Sequence, residues 1–169
     1  MGCVRWVPLG LQKKLPRPGL LEAEAVFVAL PDTGGDDFLF DYYQSVAESV
    51  SIPLTIHDFP GSSGARIKSG LVGRLGREGH MHAVKMEEHP VGRKITPILE
   101  QLNDADQMRV FGGLGGVYFL EELQRGAAGT LTGFAFPEIV VAIYDHFVKV
   151  EFDMAAECSI GTCGFYLTA

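Results

Sequence analysis

The sequence predicts an α/β protein built around a parallel sheet, and three observations carry that prediction. Short apolar, β-branched runs alternate with stretches of helical period. The runs begin at residues 25, 54, 81, 108 and 130, so successive starts lie 29, 27, 27 and 22 residues apart. That is the rhythm of right-handed βαβ units. Composition agrees: 47% of the 169 residues are apolar and 21% charged, as in a globular protein of one domain.

The first run, Ala25-Val-Phe-Val-Ala29, is closed by Pro31 and the Gly34-Gly35 pair. Asp36 and Asp37 then supply an N-cap and an acidic first turn to a helix over about 38–50. The second run, Leu54–Phe59, stops at Pro60-Gly-Ser-Ser-Gly64 and precedes a helix over about 66–77. Met81–Met86 is the third, followed by a helix over about 93–102. The fourth, Met108–Phe111, runs into Gly112-Gly-Leu-Gly-Gly116 and a helix ending at Gln124. The fifth, Thr130–Phe134, leads through Pro137 to a helix over 138–149. A closed eight-stranded barrel needs about 250 residues. Periodicity alone therefore favours an open five-stranded flavodoxin-like sheet.

The two ends read differently from the middle. Residues 1–21 hold Arg5, Lys13, Lys14 and Arg17, no acid, and three prolines, and predict a poorly ordered leader. Met1-Gly2-Cys3 lacks the Ser or Thr at position 6 that myristoylation wants. Residues 158–169 are rich in Gly, Ser and Thr and predict an irregular tail, leaving 22–157 as the folded domain. With 14 basic against 21 acidic side chains the chain carries a net charge of −7, which disfavours nucleic acid and anionic membranes as partners. No window reaches the roughly 18 apolar residues of a membrane span. Cys3, Cys158 and Cys163 cannot all pair within one chain, a usage that fits a reducing cytoplasm.

In parallel sheets, sites gather at the carboxyl ends of strands, and the unusual residues fall there. Lys85 sits near the end of the third run, with Ala83 and Glu87 on its face of the strand. A buried lysine tends to lose its proton, and a neutral amine is what Schiff-base chemistry with a carbonyl substrate requires. The alternative is a Lys85 that reaches solvent or pairs with Glu87 or Glu88. His57 closes the second run and suits acid–base work near neutral pH, or packing by hydrogen bonds. The Gly112–Gly116 loop suits either an anion held on backbone amides or a simple tight turn. Gly70, Gly73 and Gly76 recur inside the second helix, where they allow close approach of a neighbour or weaken the helix. His80, His82 and His89 lack the spacing of a helical metal pair, and Cys158 and Cys163 lack nearby partners, so neither a metal nor a cofactor is expected.

A longer pattern runs through the same segments. Tyr42-Tyr-Gln-Ser-Val-Ala-Glu48, Ile52-Pro-Leu-Thr-Ile-His-Asp-Phe-Pro-Gly-Ser-Ser-Gly64, Ala83-Val-Lys85, Phe111-Gly-Gly113 and Gly126-Ala-Ala-Gly129 occur in order. Over about residues 22–157 this resembles the dihydrodipicolinate synthase / N-acetylneuraminate lyase family of class I aldolases. The resemblance implies a partial (β/α)₈ barrel of about five units, the family's fourth to eighth strands, with Lys85 at the Schiff-base position. The synthases usually end the fifth strand Tyr-Asn-Val-Pro-Gly-Arg-Thr-Gly. Here His57 replaces the proton-relaying Tyr and Ser62 replaces the carboxylate-binding Arg, which argues against the synthase itself and towards branches that handle other 2-oxo acids.

The resemblance thus implies a Schiff-base lyase acting on pyruvate or a related 2-oxo acid, with Lys85 and His57 catalytic and Gly112, Gly113 and Ser62 against the substrate. The family's Gly-Thr-Thr-Gly-Glu segment, which holds the pyruvate carboxylate, has no counterpart in this sequence. An alternative expectation is therefore an incomplete barrel that keeps the lysine and does not turn over. Five of eight strands also leave two sheet edges unpaired, so a homo-oligomer is expected.

Overall fold

The computed structural model describes residues 25–32, 34–90, 92–103 and 108–167. Five strands and seven helices alternate there: β1 (Val26–Ala29), α1 (Asp36–Ser49), β2 (Leu54–Asp58), α2 (Pro60–Ser63), α3 (Ser69–Arg77), β3 (Ala83–Met86), α4 (Gly92–Leu99), β4 (Arg109–Gly112), α5 (Phe119–Gln124), β5 (Gly129–Thr130), α6 (Pro137–Val148) and α7 (Phe152–Leu167). A 3₁₀ turn over Leu114–Gly116 separates β4 from α5. No helix among the described residues is long and apolar enough to cross a membrane.

All strand pairs are parallel, and the sheet order is β1-β2-β3-β4-β5. A flavodoxin-like sheet reverses its order after the first strand to build outwards on both sides. This sheet never reverses. It has the sequential order of a barrel wall, which corrects the open flavodoxin-like alternative and fits a partial (β/α)₈ barrel.

Alternation along the strands sorts the side chains onto two faces. Val28, Leu54, Ile56, Val84, Met86 and Val110 are buried against Leu39, Tyr43, Leu71, Leu75, Ile95 and Ile98 of α1, α3 and α4. A second cluster joins Phe119, Leu120 and Leu123 of α5 to Val140, Ile143 and Ala155 of α6 and α7. The opposite sheet face carries Phe27, Ala29, His57, Lys85 and Phe111, all partly exposed. α3 packs closely on its neighbours: a Cβ on Gly76 would collide with the Met108 side chain, and one on Gly73 with Gln101. Those two glycines thus serve close approach. Gly70 meets nothing nearer than 3.9 Å.

Several expected boundaries move. α3 starts at Ser69 rather than 66, and the Pro60–Ser63 segment forms a helical turn of its own. α4 ends at Leu99, two residues after Pro97, whose ring nitrogen cannot donate. β5 stops at Thr130, because Phe134 leaves the sheet to pack on the α5–α7 cluster. The tail expected to be irregular over 158–169 is a further correction: α7 continues to Leu167. Ala155, Ala156 and Cys158 pack against the second cluster, and that docking outweighs the helix-weakening glycines. The leader expected over 1–21 lies outside the described residues.

Candidate active site

The ladder register sets the site. Ala29, His57, Lys85, Phe111 and Gly129 stand level on successive strands, near the carboxyl ends. His57 and Lys85 are therefore neighbours on one face, and Glu87, two residues beyond Lys85, lies on the same side. Its amide donates to the Asp58 carbonyl at 2.8 Å, which ties it to the end of β2.

Glu87 joins the set together. Its Oε2 lies 2.5 Å from His57 Nε2, and its Oε1 lies 3.1 Å from Lys85 Nζ. The Leu114 amide also donates to Oε1, at 3.1 Å. Side-chain exposure is 17% for Lys85 and His57 and 11% for Glu87. Burial works to raise the Glu87 pKa, but the hydrogen bonds from His57 and Lys85, the Lys85 charge and the Leu114 amide together hold it down to about 2. His57 is further fixed between rings, edge-on to Phe27 and stacked on Phe59 at centroid distances of 5.9 and 5.8 Å. Lys85 thus pairs with Glu87, one of the alternatives its position allowed. That pairing still leaves it beside a histidine on an accessible face.

Gly112 and Gly113 carry the next strand end past this set. A Cβ on Gly113 would run into the Glu87 side chain, and one on Gly112 into the carboxyl of Glu122. A larger residue at either position would have to displace that glutamate from its seat. Beyond them the chain turns sharply, with Leu114 at φ 42° and Gly115 at φ 70°. The Leu114 amide goes to Glu87 and the Gly116 amide to the Gly113 carbonyl, so both are used within the protein. Ser62 lies exposed in α2, outside the hydrogen-bonded set.

The helix side of the same strand ends holds charges that periodicity did not reveal. Asp58 is fully buried and bonds Lys94 Nζ at 2.6 Å; Lys94 also reaches Glu88 Oε2 at 2.6 Å, and Glu88 pairs with Arg66. Burial pushes the Asp58 carboxyl up and the Lys94 ammonium down, each partly offset by the other. Glu122 is also fully buried, and burial, with Glu121 and Glu87 nearby, pushes its carboxyl up to about 8. The three histidines near β3 scatter: His82 Nδ1 accepts from the Leu54 amide, His80 packs on Phe40, and His89 on Tyr118.

No family model matches the chain. It is 27% identical over 121 residues to an L-2-keto-3-deoxyarabonate dehydratase from Azospirillum brasilense, covering 68% of this chain and 38% of that protein. It is 35% identical over 65 residues to a 4-hydroxy-tetrahydrodipicolinate synthase from Bifidobacterium longum, covering 37% of this chain and 22% of that protein. Among solved structures, a dihydrodipicolinate synthase from Aquifex aeolicus superposes with a TM-score of 0.79 at 21% identity, over 88% of this chain and 51% of that one. A dihydrodipicolinate synthase family protein from Coccidioides immitis gives 0.75 at 25% identity, over 86% and 47%. The chain thus spans about half the length of these structures and less of the curated relatives. In sequence and in fold the chain is thus similar to members of the dihydrodipicolinate synthase family, over part of their length.

Proposed function

We propose that Lys85 forms a Schiff base with the carbonyl of pyruvate or a related 2-oxo acid, the chemistry of a carbon–carbon lyase. The observation that supports this is the Lys85–Glu87–His57 set at the carboxyl ends of parallel strands. The Lys85 amine, once its proton has passed to a base in the set, attacks C2, the carbonyl oxygen gains protons and leaves as water, and a protonated imine remains. That imine accepts the electron pair of an adjacent breaking bond. Glu87, ionised at neutral pH, faces the positive charge the imine carries. His57 is placed to move the protons, and Gly112 and Gly113 form the wall beside the substrate. The dehydratase relative is named for a 2-keto-3-deoxy sugar acid, and an Escherichia coli prophage protein of the family was solved with pyruvate; both ligands are 2-oxo acids. We take the protein to act in the cytoplasm as a homo-oligomer.

Borohydride reduction in the presence of pyruvate should add a pyruvate-derived mass to the peptide containing Lys85, and Lys85→Ala should abolish it. A label that persists in the variant refutes the assignment. A second reading, an incomplete site without turnover, is favoured by one observation. Within the hydrogen-bonded set the only permanent cation is Lys85 itself, and Ser62 lies outside it, so the set supplies no group for the substrate carboxylate. On that reading wild type does not label.

A further inference from the structure

The Schiff-base reading leaves Glu122 unused. It sits on α5, fully buried on the helix side of the sheet, and neither carboxyl oxygen has a partner of hydrogen-bonding geometry. Its carboxyl lies against Gly112, where a Cβ would collide with it. Thr130 pairs with Gly112 in the ladder, and its Oγ1 is likewise buried without a partner. Three of the four such orphaned atoms among the described residues therefore belong to Glu122 and to the residue level with Gly112. On the other side of the same backbone, Gly113 packs on Glu87, and the Leu114 amide donates to Glu87 Oε1 at 3.1 Å. One stretch of chain, 112–114, is thus gripped between two carboxyl side chains.

We propose that Glu122, in its neutral form, is a positioning residue for the 112–114 backbone and, through the Leu114 amide, for the Glu87–Lys85–His57 set. This rests on the reading of that set as reactive. A buried polar group without partners strongly disfavours charge. The charges that reach Glu122 are Glu121 on its own helix and Glu87 across the sheet end, both negative; only the Gly113 amide, near the carboxyl but outside hydrogen-bonding geometry, favours the carboxylate. Ionisation therefore drives the carboxyl out of its seat on Gly112. The backbone it supports shifts, and the Leu114–Glu87 hydrogen bond goes with it. Burial places that event near pH 8.

The test compares wild type with Glu122→Gln, a neutral side chain of the same shape, between pH 6 and 10. In wild type the ¹⁵N-bound amide signal of Leu114 should shift with a midpoint near 8, and in the variant that step should vanish. Pyruvate trapping at Lys85 should fall in wild type relative to the variant, by about tenfold at pH 9 for a single group titrating near 8. A Leu114 signal flat in wild type, or a step that survives in the variant, overturns the inference. Should Glu122→Gln not fold, wild type alone decides. The ¹³C carboxyl signal of Glu122 and the Leu114 amide must share one midpoint, and separate midpoints overturn it. A Leu114 step without any pyruvate labelling upholds the role of Glu122 and overturns the Schiff-base reading instead.

Discussion

Replacing Glu87 with glutamine removes a charge while keeping the shape of the side chain. In the native structure that carboxylate accepts from Leu114 and faces Lys85 and His57, with 11% of its side chain exposed. Burial alone would raise its pKa; the hydrogen bonds and the Lys85 charge more than reverse that, taking it from 4.5 to about 2. A folded-state value below the unfolded one means that the stabilisation is complete above about pH 4.5 and is lost as pH falls towards 2. At about 1.4 kcal/mol per pH unit the full difference corresponds to about 3 kcal/mol. Water still reaches this face and screens the charges, which brings the expectation to about 1.5–3 kcal/mol.

Urea unfolding of wild type and Glu87→Gln at a series of pH values between 7 and 2 reads this directly. The gap between the two stabilities should stand at about 1.5–3 kcal/mol from pH 7 to 5 and close towards zero near pH 2. Every other carboxylate titrates in both proteins and cancels in the difference. A gap that stays constant across the range refutes the reasoning, because it assigns the effect to packing rather than to charge. No gap at pH 7 refutes it as well, by showing that the three contacts do not favour the ionised form.

Lys94→Ala strands Asp58, fully buried with its Oδ1 already unpartnered, and should cost about 3–5 kcal/mol in urea unfolding, most of it recovered when Asp58→Asn is added. Light scattering should find the protein self-associated, because β1 and β5 form the sheet edges and Val141, Tyr144 and Val148 leave an apolar stripe on α6; a monodisperse monomer at tens of micromolar would refute this.

The strand–helix rhythm was legible because each unit buries one face and is closed by glycine or proline, a local code. The position of Lys85 beside His57 became clear once the register was known, since both end their strands at the same level. Glu87 was visible only as a possible charge partner. The spacing Lys85-x-Glu87 puts both side chains on one face, and that signal could have promoted it. Glu122 gave no signal: in sequence it looks like the second acid of an amphipathic turn, and the seat of its carboxyl is Gly112, a residue of another element. The Asp58–Lys94–Glu88 cluster joins residues up to 36 positions apart, a distance over which periodicity says nothing. The continuation of α7 past Glu157 was missed for a related reason, since the helix it extends docks on the second core.

The glycine pair explains how two glutamates so close together come to differ so widely. Glu87 and Glu122 press on consecutive residues of one strand end, from opposite faces of the sheet. On the open face a lysine, a histidine and a backbone amide converge, and the carboxylate there is held near 2. On the helix face burial dominates and the charges that reach the carboxyl are negative, and it rises to about 8. Between those values, over the whole neutral range, one acid is an anion and the other is neutral. Environments that push two titratable groups apart in this way suit them to different roles, and the two proposals use that difference: the anion to face a cationic imine, the neutral acid to hold the backbone behind it. An alanine at Gly112 or Gly113 would force one carboxyl out of its seat, so the two glycines are what let both glutamates press on the same strand end.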